Sequence, residues 1–421
     1  MRVKITPSQI AGTLSIPASK SMAHRAIICA SLAQGTSKVT NVTFSKDIEA
    51  TIACMEALGA KIEVEGNTCI VTGCDVKKVN HPLSIDCNES GSTLRFLVPI
   101  CALSQEKVSL QGHGRLLQRP LDVYKDIFAQ QGLSFKQGET LQIQGPIHSQ
   151  NFVIRGDISS QFITGLMFAL PLLDKDSTLE ILPPFESKSY VNLTLQMLEA
   201  FGIQIIEEDA LHYTIPGKQT YQAKDVRVEG DYSQLAFFAV LASLQNSLCL
   251  KNMDMHSRQG DRVILDFLKK AGSQIHQDQE TITISSRTLS SQTMDIADCP
   301  DLGPILCVLA SFTPGCTKLI HAQRLRMKES DRIAAMEAEL KKWDVNVTST
   351  FDTITIQGKP EYTKANVMID GHNDHRIVMA MTVFGLCASQ PCIIEDAQAI
   401  SKSYPNFFED VQKIGGKVEI L

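Results

Sequence analysis

The sequence predicts an α/β protein made of six copies of one βαβαββ unit, shared three and three between two domains. Three observations carry this. A helix, a tight turn and two strands return at a nearly constant interval; each interval also holds a second helix that is apolar on every side; and the last copy is one strand short while the chain opens on a strand with no helix before it. A chain of 421 residues already asks for two or three cores.

The copies run Ile48–Gly73, Val123–Gly145, Leu193–Gly217, Arg262–Ser286, Arg332–Gly358 and, cut short, Phe408–Leu421. Their turn residues are Gly59, Gly132, Gly202, Gly272, Asp344 and Gly415, at steps of 73, 70, 70, 72 and 71 residues. The first helix of each copy is amphipathic, as in Ile264, Leu265, Phe267 and Leu268. A glycine after it suits a left-handed C-cap. The strands that follow alternate, as in Thr281–Ile284. The second helix, as in 161–173 or 235–243, belongs inside a domain because it has no polar face. The strand at 2–6 is expected to complete the sixth copy. That assigns residues 1–18 and 230–421 to one domain and 19–229 to the other.

Composition narrows the function. The formal net charge is −6, so no global field attracts nucleic acid or an anionic membrane, and any bound anion needs a local group of cations. No apolar run reaches the ~18 residues of a membrane span, and the N-terminus lacks a signal-peptide core. A cytoplasmic location and a monomer are expected. Twelve scattered cysteines without a Cys-x-x-Cys pair read as reduced, mostly buried thiols. His372 and His375 lack a third ligand cluster in register, so no metal and no cofactor are expected.

Polar residues gather where helices begin. Before the apolar helices stand 19–25, 89–95, 157–161, 231–234, 299–303 and 373–376, with Ser21, Ser92 and Ser160 at one repeated position. A helix N-terminus with added Ser, Lys or Arg is an anion site. N-capping accounts for Ser and Asp there, but not for Lys20, Arg25, Arg95 and Arg376, which oppose the dipole unless an anion is near. A second set precedes the amphipathic helices. There, 326–332 packs three cations and two carboxylates into seven residues, a composition suited to phosphate binding and proton transfer.

In order along the chain, Ile16–Ala26, Gly91–Arg95, Gly114–Pro120, Asp157–Gln161, Ser187–Tyr190, Pro300–Pro304, Met327–Ile333, Asn373–Arg376 and Ser401–Phe407 resemble the signature segments of EPSP synthases. The resemblance implies the two-domain enolpyruvyl-transferase fold, an inside-out α/β barrel with helices within and sheets without. It implies transfer of the enolpyruvyl group of phosphoenolpyruvate to the 5-hydroxyl of shikimate 3-phosphate, with the active site in the interdomain cleft. By resemblance, shikimate 3-phosphate is met by Lys20, Ser21, Arg25, Ser159, Ser160, Gln161, Ser187, Asp301 and Lys328, mainly from the 19–229 domain. Phosphoenolpyruvate is met by Lys20, Gly91, Arg115, Gln161, Arg332, Arg376 and Lys402, mainly from the other. Lys20, Asp301, Lys328, Glu329 and His375 fall at catalytic positions, with Asp301 as base on the hydroxyl and Lys20 and Glu329 sharing proton traffic. Several fixed cations are needed because two multiply charged anions must meet. Arg324 and Glu89 depart from the family pattern, each standing where Asn is common.

Two rivals are disfavoured. The sister transferase acting on UDP-N-acetylglucosamine would show Lys-Asn at 20–21 and a cysteine within 111–120, where none lies. An RNA-binding repeat protein would show a basic stripe with interleaved aromatics.

Overall fold

The computed structural model describes residues 1–421, which divide into two compact units, Met1–Pro17 with Glu229–Leu421 and Ala18–Val228. Both crossings fall one residue earlier than the sequence reading places them. Each unit has its own apolar core and carries three of six four-stranded sheets. No helix is long and apolar enough to cross a membrane.

The second repeat shows how a unit is built. Leu83–Asp86 leads into the buried helix Gly91–Cys101 and the parallel strand Lys107–Gln111; the amphipathic helix Asp122–Gln130 then leads into the hairpin Ser134–Gln137 and Leu141–Gln144. Helix residues facing the sheet are apolar, as in Ile264–Ala271, where Ile264, Leu265, Leu268 and Ala271 are buried one turn apart. All six turn residues adopt positive φ, from 59° at Asp344 to 116° at Gly272. Five are glycine because a side chain is strained there.

The apolar helices are interior. Every residue of Gly303–Phe312 is buried, and Tyr232–Leu244 and His375–Cys387 pack with it and with each other. In the other unit Gly165 brings Ser160–Ala169 against Gly91–Cys101 so closely that a Cβ would stand 2.4 Å from the Arg95 carbonyl oxygen. Burying such all-apolar surface stabilises each unit at roughly 25 cal/mol per Å².

The N-terminal strand Val3–Thr6 pairs antiparallel with Lys417–Ile420, Val3 opposite Ile420, and so completes the sixth repeat. Two further completions were not legible in the sequence. Gly12–Ser15 runs parallel to Ser247–Lys251 in the fourth repeat, and Val226–Arg227 runs parallel to Thr36–Thr40 in the first. Each completing strand lies in the same unit as the sheet it joins, next to or upstream of a crossing.

Candidate active site

In the unit holding the C-terminal half, the helix entrances bring charged groups of both signs together. Asp301 lies in the 3-10 turn Pro300–Leu302 ahead of Gly303–Phe312. Its Oδ1 is 3.0 Å from Arg332 Nη1 and 3.1 Å from Lys328 Nζ, and its Oδ2 is 3.1 Å from Arg376 Nη2. Arg332, the first residue of helix Arg332–Lys341, is 1% exposed. It also donates to Glu329 at 2.7 Å and grips Asp374 through Nε at 2.8 Å and Nη2 at 3.2 Å. Asp374 caps His375–Cys387 through the Arg376 amide and accepts Ser330 Oγ at 2.9 Å. Lys402 Nζ donates to the Asn373 carbonyl at 2.7 Å. His375 is buried as the first residue of the helix that Asp374 caps.

This arrangement fixes the charge states. Burial favours the neutral form of Asp301, but Arg376, Lys328 and Arg332 outweigh it and hold the carboxyl well below the usual range. Burial likewise opposes the charge on Arg332, which Asp374, Glu329 and Asp301 more than restore. Lys328 is pulled down, first by burial and then by the neighbouring cations Arg324 and Arg332, with Asp301 acting in the opposite sense. Arg324 is therefore a buried cation that eases proton loss from Lys328.

The other unit carries a second cluster. Ser19, Ser90 and Ser159 are the N-caps of the three buried helices. Ser21 and Ser92 therefore stand two residues past their caps and Ser160 only one; the residue equivalent to them is Gln161, not Ser160 as the spacing suggested. Lys20 Nζ meets Asp47 at 2.6 Å. Gln161 takes Arg95 Nη1 at 2.7 Å on its oxygen and donates to Ser92 Oγ at 3.0 Å. Arg25 is buried, which lowers it to about 10, and it spends three N–H groups on protein: Thr194 Oγ1 at 2.9 Å, the Ser21 carbonyl at 2.6 Å and the Tyr190 carbonyl at 2.9 Å. These oxygens take three of the five N–H groups that its guanidinium offers. Ser187 is buried in left-handed backbone, φ 56°, one residue before helix Lys188–Ala200.

Arg115 is exposed, and Arg119 stands at Gly91 in its place: a Cβ on Gly91 would lie 2.7 Å from Arg119 Nη1, 3.5 Å from Arg95 Nη1 and 3.7 Å from Gln161 Oε1. Both arginines lie in the segment 114–120, and the sequence does not say which turns inward. Glu89 packs on Gly114 of the same loop, within 2.9 Å of where its Cβ would be. Gly91→Ala must push the Arg119 guanidinium aside. It is expected to raise the Kd for inorganic phosphate about tenfold, as for one weakened charged hydrogen bond, with folding intact; isothermal titration calorimetry checks it.

Two other groups escaped the sequence reading. Asp47 is the partner of Lys20, and Asp261, beside Asp301, accepts a short hydrogen bond from Ser233 Oγ. Burial and then the Asp301 charge push Asp261 up to about 7, with Arg376 opposing.

Buried helices within three-sheet units and cation-lined helix entrances define an anion-handling protein with the enolpyruvyl-transferase architecture. The enolpyruvyl transferase NikO from Streptomyces tendae shares this fold at a TM-score of 0.81 over 99% of this chain and 98% of its own, with 13% identity. EPSP synthase from Acinetobacter baumannii superposes at a TM-score of 0.82 with 25% identity over 99% of both chains. Sequence comparison is more specific. The family model for EPSP synthase (3-phosphoshikimate 1-carboxyvinyltransferase) matches residues 5–411. The 3-phosphoshikimate 1-carboxyvinyltransferase of Clostridium kluyveri is 42% identical over 420 residues, 99% of this chain and 98% of its own, and that of Clostridium beijerinckii is 43% identical over 424 residues, 98% and 97%. The chain belongs to the EPSP synthase family.

Proposed function

We infer that this protein transfers the enolpyruvyl group of phosphoenolpyruvate to the 5-hydroxyl of shikimate 3-phosphate, giving 5-enolpyruvylshikimate 3-phosphate and phosphate, a step of the shikimate pathway. The observation that carries the reading is Asp301, a carboxylate within 3.1 Å of each of three cations, Lys328, Arg332 and Arg376. Anionic substrate oxygens compete for those same cations. As Arg332, Arg376 and Lys402 turn toward phosphoenolpyruvate, Asp301 loses the charges that depress it and gains basicity where the hydroxyl proton must leave. The hydroxyl oxygen then adds to C2 while C3 takes a proton. The tetrahedral adduct expels phosphate as C3 returns a proton, and the cations stabilise the leaving oxygens.

Lys328 and Glu329 flank that chemistry, with His375 beside it. Lys20, paired with Asp47, and the Ser159, Ser160, Gln161 and Ser187 group of the other unit are assigned to shikimate 3-phosphate together with Ser21. Arg25 is assigned to shaping that group, because its guanidinium already serves three protein oxygens. Arg119, with Gly91 and Gln161, replaces Arg115 as the phosphoenolpyruvate contact. The two clusters supply groups to one reaction, and a monomer in the cytoplasm suffices for it. No metal or cofactor enters a step.

The test is phosphate release from purified protein given both substrates, with each omitted in turn. Release that requires both supports the reading; none with both present overturns it.

A further inference from the structure

Helix Arg332–Lys341 begins with Arg332 on Asp374, and Glu339 lies seven residues on, two turns away on the same face. Glu339 is 1% exposed, an unusual setting for a carboxylate. Its Oε2 accepts the Asp370 amide at 3.0 Å and Lys342 Nζ at 2.7 Å, and its Oε1 faces His372 Nε2 at 3.1 Å. One helix therefore clasps the turn 370–374 at both ends. Between the two grips stand His372 and Asn373, consecutive non-glycine residues with φ of 51° and 48°. Left-handed backbone is uncommon outside glycine, and two such residues in a row persist where their surroundings hold them. That turn delivers the Asn373 carbonyl to Lys402, Asp374 to Arg332, and Arg376 to Asp301.

We propose that Glu339 and His372 are positioning residues for the anion-binding turn: their contact holds the left-handed pair 372–373 so that Arg376 and Lys402 are presented together to phosphoenolpyruvate. Neither residue touches substrate in this scheme, which rests on the function inferred above.

The clasp is sensitive to pH. The hydrogen bond to Glu339 raises His372 above its ordinary value; burial opposes this, the Asp370 charge on its own turn adds to it, and Lys342 on the facing helix subtracts. A histidine raised in this way is charged, and the ion pair fully formed, below the ordinary value of 6.5. The pair fades as pH rises through the raised value.

The test is His372→Asn, which tolerates left-handed backbone but cannot carry charge, measured beside wild type that has first been shown to release phosphate with both substrates. At pH 6 the variant is expected to raise the KM for phosphoenolpyruvate about tenfold, the scale of one charged hydrogen bond, with kcat within about twofold. The ratio of variant to wild-type KM is expected to fall toward one by pH 8.5, which cancels the substrate's own ionisation. Glu339→Gln in the His372→Asn background should add little to the KM for phosphoenolpyruvate, because its Oε1 holds the turn through His372; the Lys342 ion pair it also gives up is read in the thermal midpoint. A pH-independent ratio, additive losses, or equal falls in kcat and thermal midpoint without a KM change would each overturn the proposal. Inactive wild type would instead overturn the functional reading on which it rests.

Discussion

Arg332→Ala is expected to destabilise the unit that carries it by about 3–5 kcal/mol, the loss found when one member of a buried ion group is removed, and to abolish measurable turnover. Asp301, Glu329 and Asp374 all take hydrogen bonds from this one guanidinium. Without it Asp374 and Glu329 lose the guanidinium they share, while Asp301 keeps Lys328 and Arg376. Asp374 suffers most, since it is fully buried and Arg332 is what keeps its carboxyl low against burial. Calorimetry should show unfolding of that unit move to lower temperature, and acidification should restore part of the difference as these carboxylates take up protons. Arg332→Lys is expected to fall between, because an ammonium cannot serve three carboxylates in one plane. An Arg332→Ala protein that melts like wild type would mean that water enters and solvates the cluster.

The fold was legible because the same packing problem is solved six times. Six similar helix–turn–strand–strand segments leave a period that survives divergence of individual residues, and a left-handed turn at each helix end leaves glycine at five of six positions. The strands that went unread are short and largely exposed. Gly12–Ser15 has one buried residue and Val226–Arg227 has none, so neither shows an alternation. Their strand state comes from parallel pairing with segments more than 180 residues away, information that no local window holds.

The site follows the same division. Entrances rich in Lys, Arg, Ser and Asp were visible because each is local to one helix. What was hidden is which entrance meets which neighbour: Lys20 finds Asp47 across a repeat, and Arg119 rather than Arg115 reaches Gly91. Arg25 shows what charge reasoning leaves out: two backbone carbonyls and a threonine also take hydrogen bonds from this buried cation, and no local window shows them. Glu339 was invisible for the opposite reason, and His372 was weighed only as a metal ligand. Glu339 sits mid-helix among charged neighbours, where a solvated face is the ordinary reading, and only the tertiary structure buries it.

Asp301→Asn separates binding from chemistry more sharply than any other substitution at this site. The amide keeps the shape and one acceptor oxygen but gives up the negative charge that Lys328, Arg332 and Arg376 share. Two consequences pull apart. Anion affinity should improve, because substrate oxygens no longer compete with a resident carboxylate; the Kd for inorganic phosphate is expected to fall about threefold or more, a modest share of a charged hydrogen bond. Turnover should drop by at least about 100-fold, the lower end of what a positioned general base contributes. In the free protein Asp301 lies well below the usual carboxylate range, so it adds no inflection to the pH profile of free enzyme near pH 4. Its basicity develops only after substrate draws the cations away, and the base should therefore show in the pH dependence of kcat rather than of kcat/KM. Retained turnover would remove Asp301 as the base. Weaker phosphate binding would mean that the carboxylate aligns the three cations instead of competing for them, and that alignment outweighs the charge it neutralises.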